Sequence, residues 1–164
     1  MNIGIDFGGV IIKAAHSQEF LRPEHGESLL QHHDAIENFA RLVQLTENTV
    51  WIISKASPTT QRYTREWLDG VNFYQRTGFL SSNLSFCSKR AEKHAICQSL
   101  HISHFIDDNE STLASLKGLV PNLFLFGQQA SVNGITSVSN WTHFLSLLNQ
   151  KNLKPNTLEI SYKP

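Results

Sequence analysis

Asn2-Ile3-Gly4-Ile5-Asp6-Phe7-Gly8-Gly9-Val10 is an apolar run that ends on a carboxylate followed by a glycine pair. A second run, His104-Phe105-Ile106-Asp107-Asp108, stops the same way. Each reads as a short strand covered on both faces, with an aspartate where the strand gives way to a loop. Three further apolar runs of strand length follow the same logic: Thr49 to Ser54, Leu84 to Cys87 and Asn122 to Phe126. Helical patterns separate them. This alternation predicts an α/β fold, a three-layer Rossmann-like sandwich with a mostly parallel central sheet. In an open parallel sheet, ligands collect at the carboxyl ends of the strands. Carboxylates brought together there repel one another unless a cation or a proton relieves them. A hard divalent cation is therefore expected, Mg²⁺ ahead of Ca²⁺, because only a few carboxylates are on offer.

The helices have their own signals. Asp34 is placed to cap a helix carrying Ile36, Phe39, Ala40, Leu42 and Val43 at helical spacing. Pro58 suits the first turn of a helix holding Tyr63, Trp67 and Leu68, which Gly70 ends. Ser88 is expected to cap a helix with Ala91, Ala95, Ile96 and Leu100, and Asn109 one with Leu113 and Leu116 that stops near Gly118. A last helix carries Trp141, Phe144, Leu145, Leu147 and Leu148. Residues 14 to 27 and 72 to 83 read as irregular. Residues 1 to 150 are expected to form the domain. Residues 151 to 164 read as a tail or the start of a further region, with Thr157 to Tyr162 a candidate short strand.

Composition narrows the possibilities. With 164 residues the chain can bury a real core, and 40% apolar against 17% charged residues is a globular balance. The formal net charge is zero, which argues against nucleic-acid binding through a broad basic face without excluding a local patch. No apolar run is long enough to span a bilayer. The start lacks the basic-then-apolar pattern of a cleaved signal. Cys87 and Cys97 form neither a disulfide framework nor a zinc pattern, so a reducing, cytoplasmic setting is expected. His32 and His33, adjacent ahead of a helix, would face different ways and read poorly as a metal pair.

Four signals fall in a fixed order: the strand ending in Asp6, the strand Val50-Trp51-Ile52-Ile53-Ser54 ending in a hydroxyl, lysines Lys89 and Lys93 at a helix start, and the strand ending in Asp107-Asp108. Over residues 1 to 150 this order resembles the haloacid-dehalogenase-like (HAD) superfamily, most of whose members are Mg²⁺-dependent phosphatases. The resemblance implies Asp6 as a nucleophile that forms an aspartyl-phosphate, which splits a very slow displacement into two steps. It implies metal contacts from Asp6, the Gly8 carbonyl, Asp107 and Asp108. It implies phosphate contacts from Gly8, Gly9, Ser54, Lys55 and Lys93, with Ser54 a hydroxyl donor and Lys93, preferred to Lys89, a point charge. Taken alone, Lys55 reads as a solvated charge, Asp108 as a helix cap, and His94 as a surface histidine.

Two departures sharpen the reading. Many HAD phosphatases carry an acid–base aspartate two positions after the nucleophile, and this chain has Gly8 there. General acid–base help is worth roughly 10²- to 10⁴-fold, so its loss favours substrates with good leaving groups. A tyrosine phenol, with a pKa of about 10, qualifies. The spans between the motifs also leave no room for a cap domain, and open HAD enzymes commonly act on macromolecules. Together these point to a phosphoprotein substrate, phosphotyrosine in particular, and some bacterial effector phosphatases are similar in kind. A phosphatase acting on RNA ends, one acting on small phosphorylated metabolites, and a non-catalytic phosphate-binding module are the competing readings. His16, Lys13, Arg62 and Arg65 are candidate rim contacts.

Overall fold

The computed structural model describes residues 1–13, 31–127, 129–130 and 132–152. The elements run β1 (Ile3–Ile5), α1 (Ala35–Leu45), β2 (Val50–Lys55), α2 (Pro58–Gly70), α3 (Phe73–Thr77), β3 (Leu84–Cys87), α4 (Glu92–Ser99), β4 (His104–Asp107), α5 (Glu110–Ser115), β5 (Asn122–Phe126), β6 (Thr136–Val138) and α6 (Trp141–Asn152). The six strands form one sheet in the order β3-β2-β1-β4-β5-β6. All five pairings are parallel. This is the doubly wound Rossmann-like order, which reverses direction between β1 and β4. The expected α/β sandwich is the observed fold.

Successive strand side chains turn to opposite faces, both of them buried, and define two cores. Ile3, Ile5, Val50, Ile52, Ile106, Phe124, Phe126 and Val138 turn to one face, against Phe39 and Leu42 of α1, Trp67 and Leu68 of α2, Phe73 of α3, and Trp141 and Phe144 of α6. Ile53, Phe105, Leu123 and Leu125 turn to the other face, against Cys97 of α4 and Leu113 of α5. Phe39 centres the first core, with ring centroids 4.9 Å from Phe73, 5.3 Å from Phe79 and 6.0 Å from Trp141. No described helix is long and apolar enough to cross a membrane.

Several local expectations need correction. Residues 72–83 are not irregular: they hold α3 and a 3-10 turn at Ser81–Asn83, and Phe73 and Phe79 are buried. Strand β6 was not anticipated, because Thr136 and Ser137 give it no apolar signature. Asp34 precedes α1 but adopts left-handed backbone, φ 56°, and makes no side-chain cap. The α2 cap is Ser57, which accepts from Thr60 N at 3.2 Å. Ser88 does not cap α4; Ala91 precedes it, and Ser88 N donates instead to Glu92 Oε2 at 2.9 Å. Asn109 caps α5 as expected, accepting from Thr112 N at 3.0 Å, so Asp108 does not. Residues 14–27, including His16, and Thr157–Tyr162 lie outside the described residues.

Two features position the carboxyl edge of the sheet. The segment after Asp6 is packed down: Val10, Ile11 and Ile12 are buried, and Phe7 sets its ring edge-on to Trp67 at 5.6 Å. Trp141 Nε1 donates to Val10 O at 2.9 Å, tying the start of α6 to this segment. On β1, Gly4 lets the Phe105 ring lie across the central strand, because a methyl group there would overlap the ring carbons. Gly4→Ala is expected to destabilise the fold by about 1–3 kcal/mol through overpacking, read as a lower urea midpoint at constant slope; an unchanged midpoint would show that Phe105 has room to move.

Candidate active site

Asp6 follows β1 and Asp107 ends β4, and these strands are direct neighbours, in register at Ile5 and Ile106. Asp6 N donates to Ile106 O at 2.9 Å, which carries the pairing to the end of the strands. The two side chains therefore meet at the point where the sheet order reverses, the place where a crevice opens in such folds. Lys93, from the first turn of α4, reaches between them. Its Nζ donates to Asp6 Oδ1 at 2.8 Å and to Asp107 Oδ2 at 2.8 Å. Asp107 Oδ1 accepts from Asn109 N at 2.9 Å, so both oxygens of Asp107 are engaged. Asp6 Oδ2 takes no hydrogen bond from any described residue. All three side chains are buried, Lys93 at 2% exposure and Asp107 at 1%.

The orientation of α4 follows from this contact. Its buried positions are Lys93 and Cys97, one helical turn apart, while Ala91 and Ala95 are exposed. Of the apolar residues expected on the inner side, Ile96 and Leu100 pack half-buried against the second core, whereas Ala91 and Ala95 are exposed. The helix turns a lysine inward because two carboxylates wait there, and the lysine stem runs past Phe105, with Nζ 5.5 Å from the ring centre.

One ammonium cannot neutralise two buried carboxylates. Burial, and then the charge of Asp107, push the Asp6 carboxyl up to about 7 despite the opposing pull of Lys93. Burial opposes the Lys93 charge, but Asp6 and Asp107 outweigh it and hold the ammonium above its usual range. Burial and Asp107 also raise Asp108. The cluster is short of positive charge.

Asp6, Asp107 and Asp108 each offer a carboxylate oxygen within 4.8 Å of the others, a hard oxygen donor set of the kind that holds a divalent cation. The donor chemistry and the unrelieved negative charge both fit such an ion. Asp108 leans over the turn after β1: Gly9 has φ +80°, and any Cβ there would run into the Asp108 carboxylate. Gly8 is different, with nothing within 4 Å of the place a Cβ would occupy.

These groups line an open cavity of about 340 Å³. Of the residues singled out from the sequence, Asp6, Gly8, Ser54, Lys55, Lys93, Asp107 and Asp108 all line it. Gly9 and Lys89 do not, nor do the rim candidates Lys13, Arg62 and Arg65. Lys13 borders a separate hollow, and Arg62 and Arg65 lie over the rings of Tyr63 and Phe86. His94 is exposed on α4. His32 and His33 part company as expected: His32 Nε2 lies 3.0 Å from Gly9 O, whereas His33 pairs with Asp34 at the surface. Arg90, Asn109 and Thr112 also line the cavity and were not foreseen as site residues. Asn109 and Thr112 carried a signal, the cap and its partner three positions on; Arg90, in a turn, carried none.

No protein-family model matches the sequence, and no curated protein matches it.

The raised Asp6 carboxyl fixes a pH dependence. In metal-free protein the folded state holds this proton more tightly than the unfolded chain, whose carboxyl titrates near 3.8. The resulting stabilisation is complete below pH ~4 and is lost as pH rises through about 7. Relative to Asp6→Asn, metal-free wild type is expected to lose up to about 4 kcal/mol over that window, measured by urea unfolding at a series of pH values. A divalent cation must displace the same proton, so calorimetry near neutral pH is expected to show proton release on binding; parallel stability profiles for the two proteins would contradict the assignment.

Proposed function

We propose that the chain is a capless phosphatase of the HAD type, a Mg²⁺-dependent phosphomonoesterase with Asp6 as its nucleophile. The observation that carries this reading is the convergence of Asp6 and Asp107 on Lys93 beside an open cavity lined by Ser54. In this reading Asp6, Asp107 and Asp108, with the Gly8 carbonyl, hold Mg²⁺. The ion, when bound, neutralises the phosphoryl oxygens so that an anionic nucleophile can approach.

The chain's own groups do the rest. Lys93 holds Asp6 through Oδ1, which leaves Oδ2 free to attack phosphorus as the ester P–O bond breaks. Water then attacks the aspartyl-phosphate at phosphorus, and inorganic phosphate departs as Asp6 is regenerated. The Ser54 hydroxyl and Lys93 ammonium stabilise the transferring oxygens. Asn109 N fixes Asp107, which in turn fixes Lys93.

Gly8 places no acid beside the leaving oxygen. A phenolate, from an acid of pKa about 10, departs without a proton far more readily than an alkoxide. Aryl phosphates, phosphotyrosine in proteins among them, are thus the preferred substrates. The β2–β3 connection holds only α2, α3 and a 3-10 turn, whose Trp67, Leu68, Phe73 and Phe79 belong to the core, so nothing in it forms a cap. The lack of a cap in that connection favours a macromolecular substrate.

Two expected outcomes test the reading. Release of p-nitrophenol from its phosphate should need Mg²⁺, stop on chelation, and fall by at least about 10³-fold in Asp6→Asn; phosphate binding without turnover, indifferent to that substitution, would instead mark a binding module. The Cβ of Gly8→Asp would meet nothing within 4 Å. The substitution should raise turnover of alkyl phosphates by about tenfold or more, within the roughly 10²- to 10⁴-fold scale of acid–base help, while changing aryl phosphates little. Equal gains on both would refute the leaving-group explanation.

A further inference from the structure

The charges around the cavity are sorted. The carboxylates stand at the ends of β1 and β4, whereas Lys55 ends β2 and Arg90 lies in the turn that follows β3. Strands β2 and β3 are neighbours, in register at Lys55 and Cys87, and Ala56 N donates to Cys87 O at 3.0 Å, so these two cations border the same side of the opening. Both are exposed, and neither has an acidic partner among the described residues. Arg76 and Lys117, by contrast, are occupied: Arg76 pairs with Glu37 at 2.9 Å, and Lys117 donates to Asn133 O at 2.8 Å.

The Arg90 turn is also held in place. Ser88 N donates to Glu92 Oε2 at 2.9 Å, and Lys93 N donates to Arg90 O at 3.0 Å. The backbone that presents Arg90 is thus fastened to the residue that clasps Asp6 and Asp107. Lys93 is already paired with those carboxylates. Lys55 and Arg90 remain as cations without an acidic partner among the described residues, on the β2–β3 side of the cavity.

We infer that Arg90, with Lys55 beside it, is a specificity element that recognises an acidic side chain flanking the phosphorylated tyrosine of a peptide substrate. This rests on the phosphatase reading for the place of the phosphoryl group. A planar guanidinium suits a carboxylate bidentately, and an exposed ammonium adds attraction without fixed geometry. A polynucleotide fits less well. No aromatic ring lines the cavity among the described residues to stack a base, and the formal net charge of zero offers no track for a phosphate backbone.

The test uses the full chain and matched fluorescent phosphotyrosine peptides with either Asp and Glu or Asn and Gln around the tyrosine. Two readouts are taken: kcat/KM with Mg²⁺, and anisotropy binding to Asp6→Asn protein, which needs no turnover. The acidic peptide should be favoured about threefold to tenfold in both. The ratio should shrink as salt rises from about 50 mM to about 300 mM. Arg90→Glu should bring it below one, Lys55→Glu should reduce it, and Arg90→Lys should keep part of it. Because the ratio is taken within each variant, a general loss of activity cancels. An unchanged ratio in both charge reversals would overturn the inference, as would tighter, Arg90-dependent binding of a 5′-phosphorylated oligonucleotide. Binding preference without hydrolysis of any phosphate ester would sink the phosphatase reading alone; hydrolysis without preference would sink this inference alone.

Discussion

One ammonium shared by two buried carboxylates organises this edge of the molecule. Ionised groups leave water only at high cost, and removing one partner from such a cluster typically costs about 3–5 kcal/mol. The arrangement is tolerable because Asp107 is satisfied on both oxygens, by Lys93 and by Asn109 N, and because Asp6 shares the ammonium on one side only. The strand order brings the acids together, since β1 and β4 are adjacent although Asp6 and Asp107 are far apart in the chain. The lysine then dictates which face α4 turns inward.

Other features answer to the same constraint. Gly4 allows Phe105 to cover the central strand, and the Lys93 stem passes over that ring. Gly9 makes way for Asp108. The turn after Asp6 is gripped from two sides, by Trp141 Nε1 on Val10 O and by His32 on Gly9 O. A loop so held keeps Asp6 at a fixed distance from its neighbours, which is what preorganised electrostatics requires. The apolar core on the α1 side and the polar edge are therefore mechanically joined.

The sheet was legible because strands buried on both faces are written as continuous apolar runs, and three of them, Leu84–Cys87, His104–Asp107 and Asn122–Phe126, match the sequence reading at both ends. Strand β6 was not, since Thr136 and Ser137 at the sheet edge need no apolar character. At α4, hydrophobic periodicity alone finds Ile96 and Leu100 against the core but counts a lysine as outward, so the inward Lys93 is legible only from the order of the strand-end acids around it. The convergence of Asp6, Ser54, Lys93 and Asp107 could be expected from strand ends and chain order. Arg90 could not, because a turn has no periodicity and its placement depends on how β3 lies beside β2.

What separates a phosphate-binding module from a catalyst in this framework is a single oxygen. Asp6 Oδ1 is committed to Lys93, and an Asp6 held by both oxygens would be a structural acid only. Its Oδ2 has no such commitment, and it belongs to a group whose proton is lost near neutral pH rather than near pH 4. Any cation that settles among the three aspartates lowers that value and frees the oxygen in one event. In the phosphatase reading Gly8, with space at its Cβ position but no second acid, would leave protonation of the departing group to the substrate's own chemistry. In the proposed phosphatase, activation of Asp6 would therefore be coupled to cation binding, and substrate choice would follow how well the leaving group bears a negative charge.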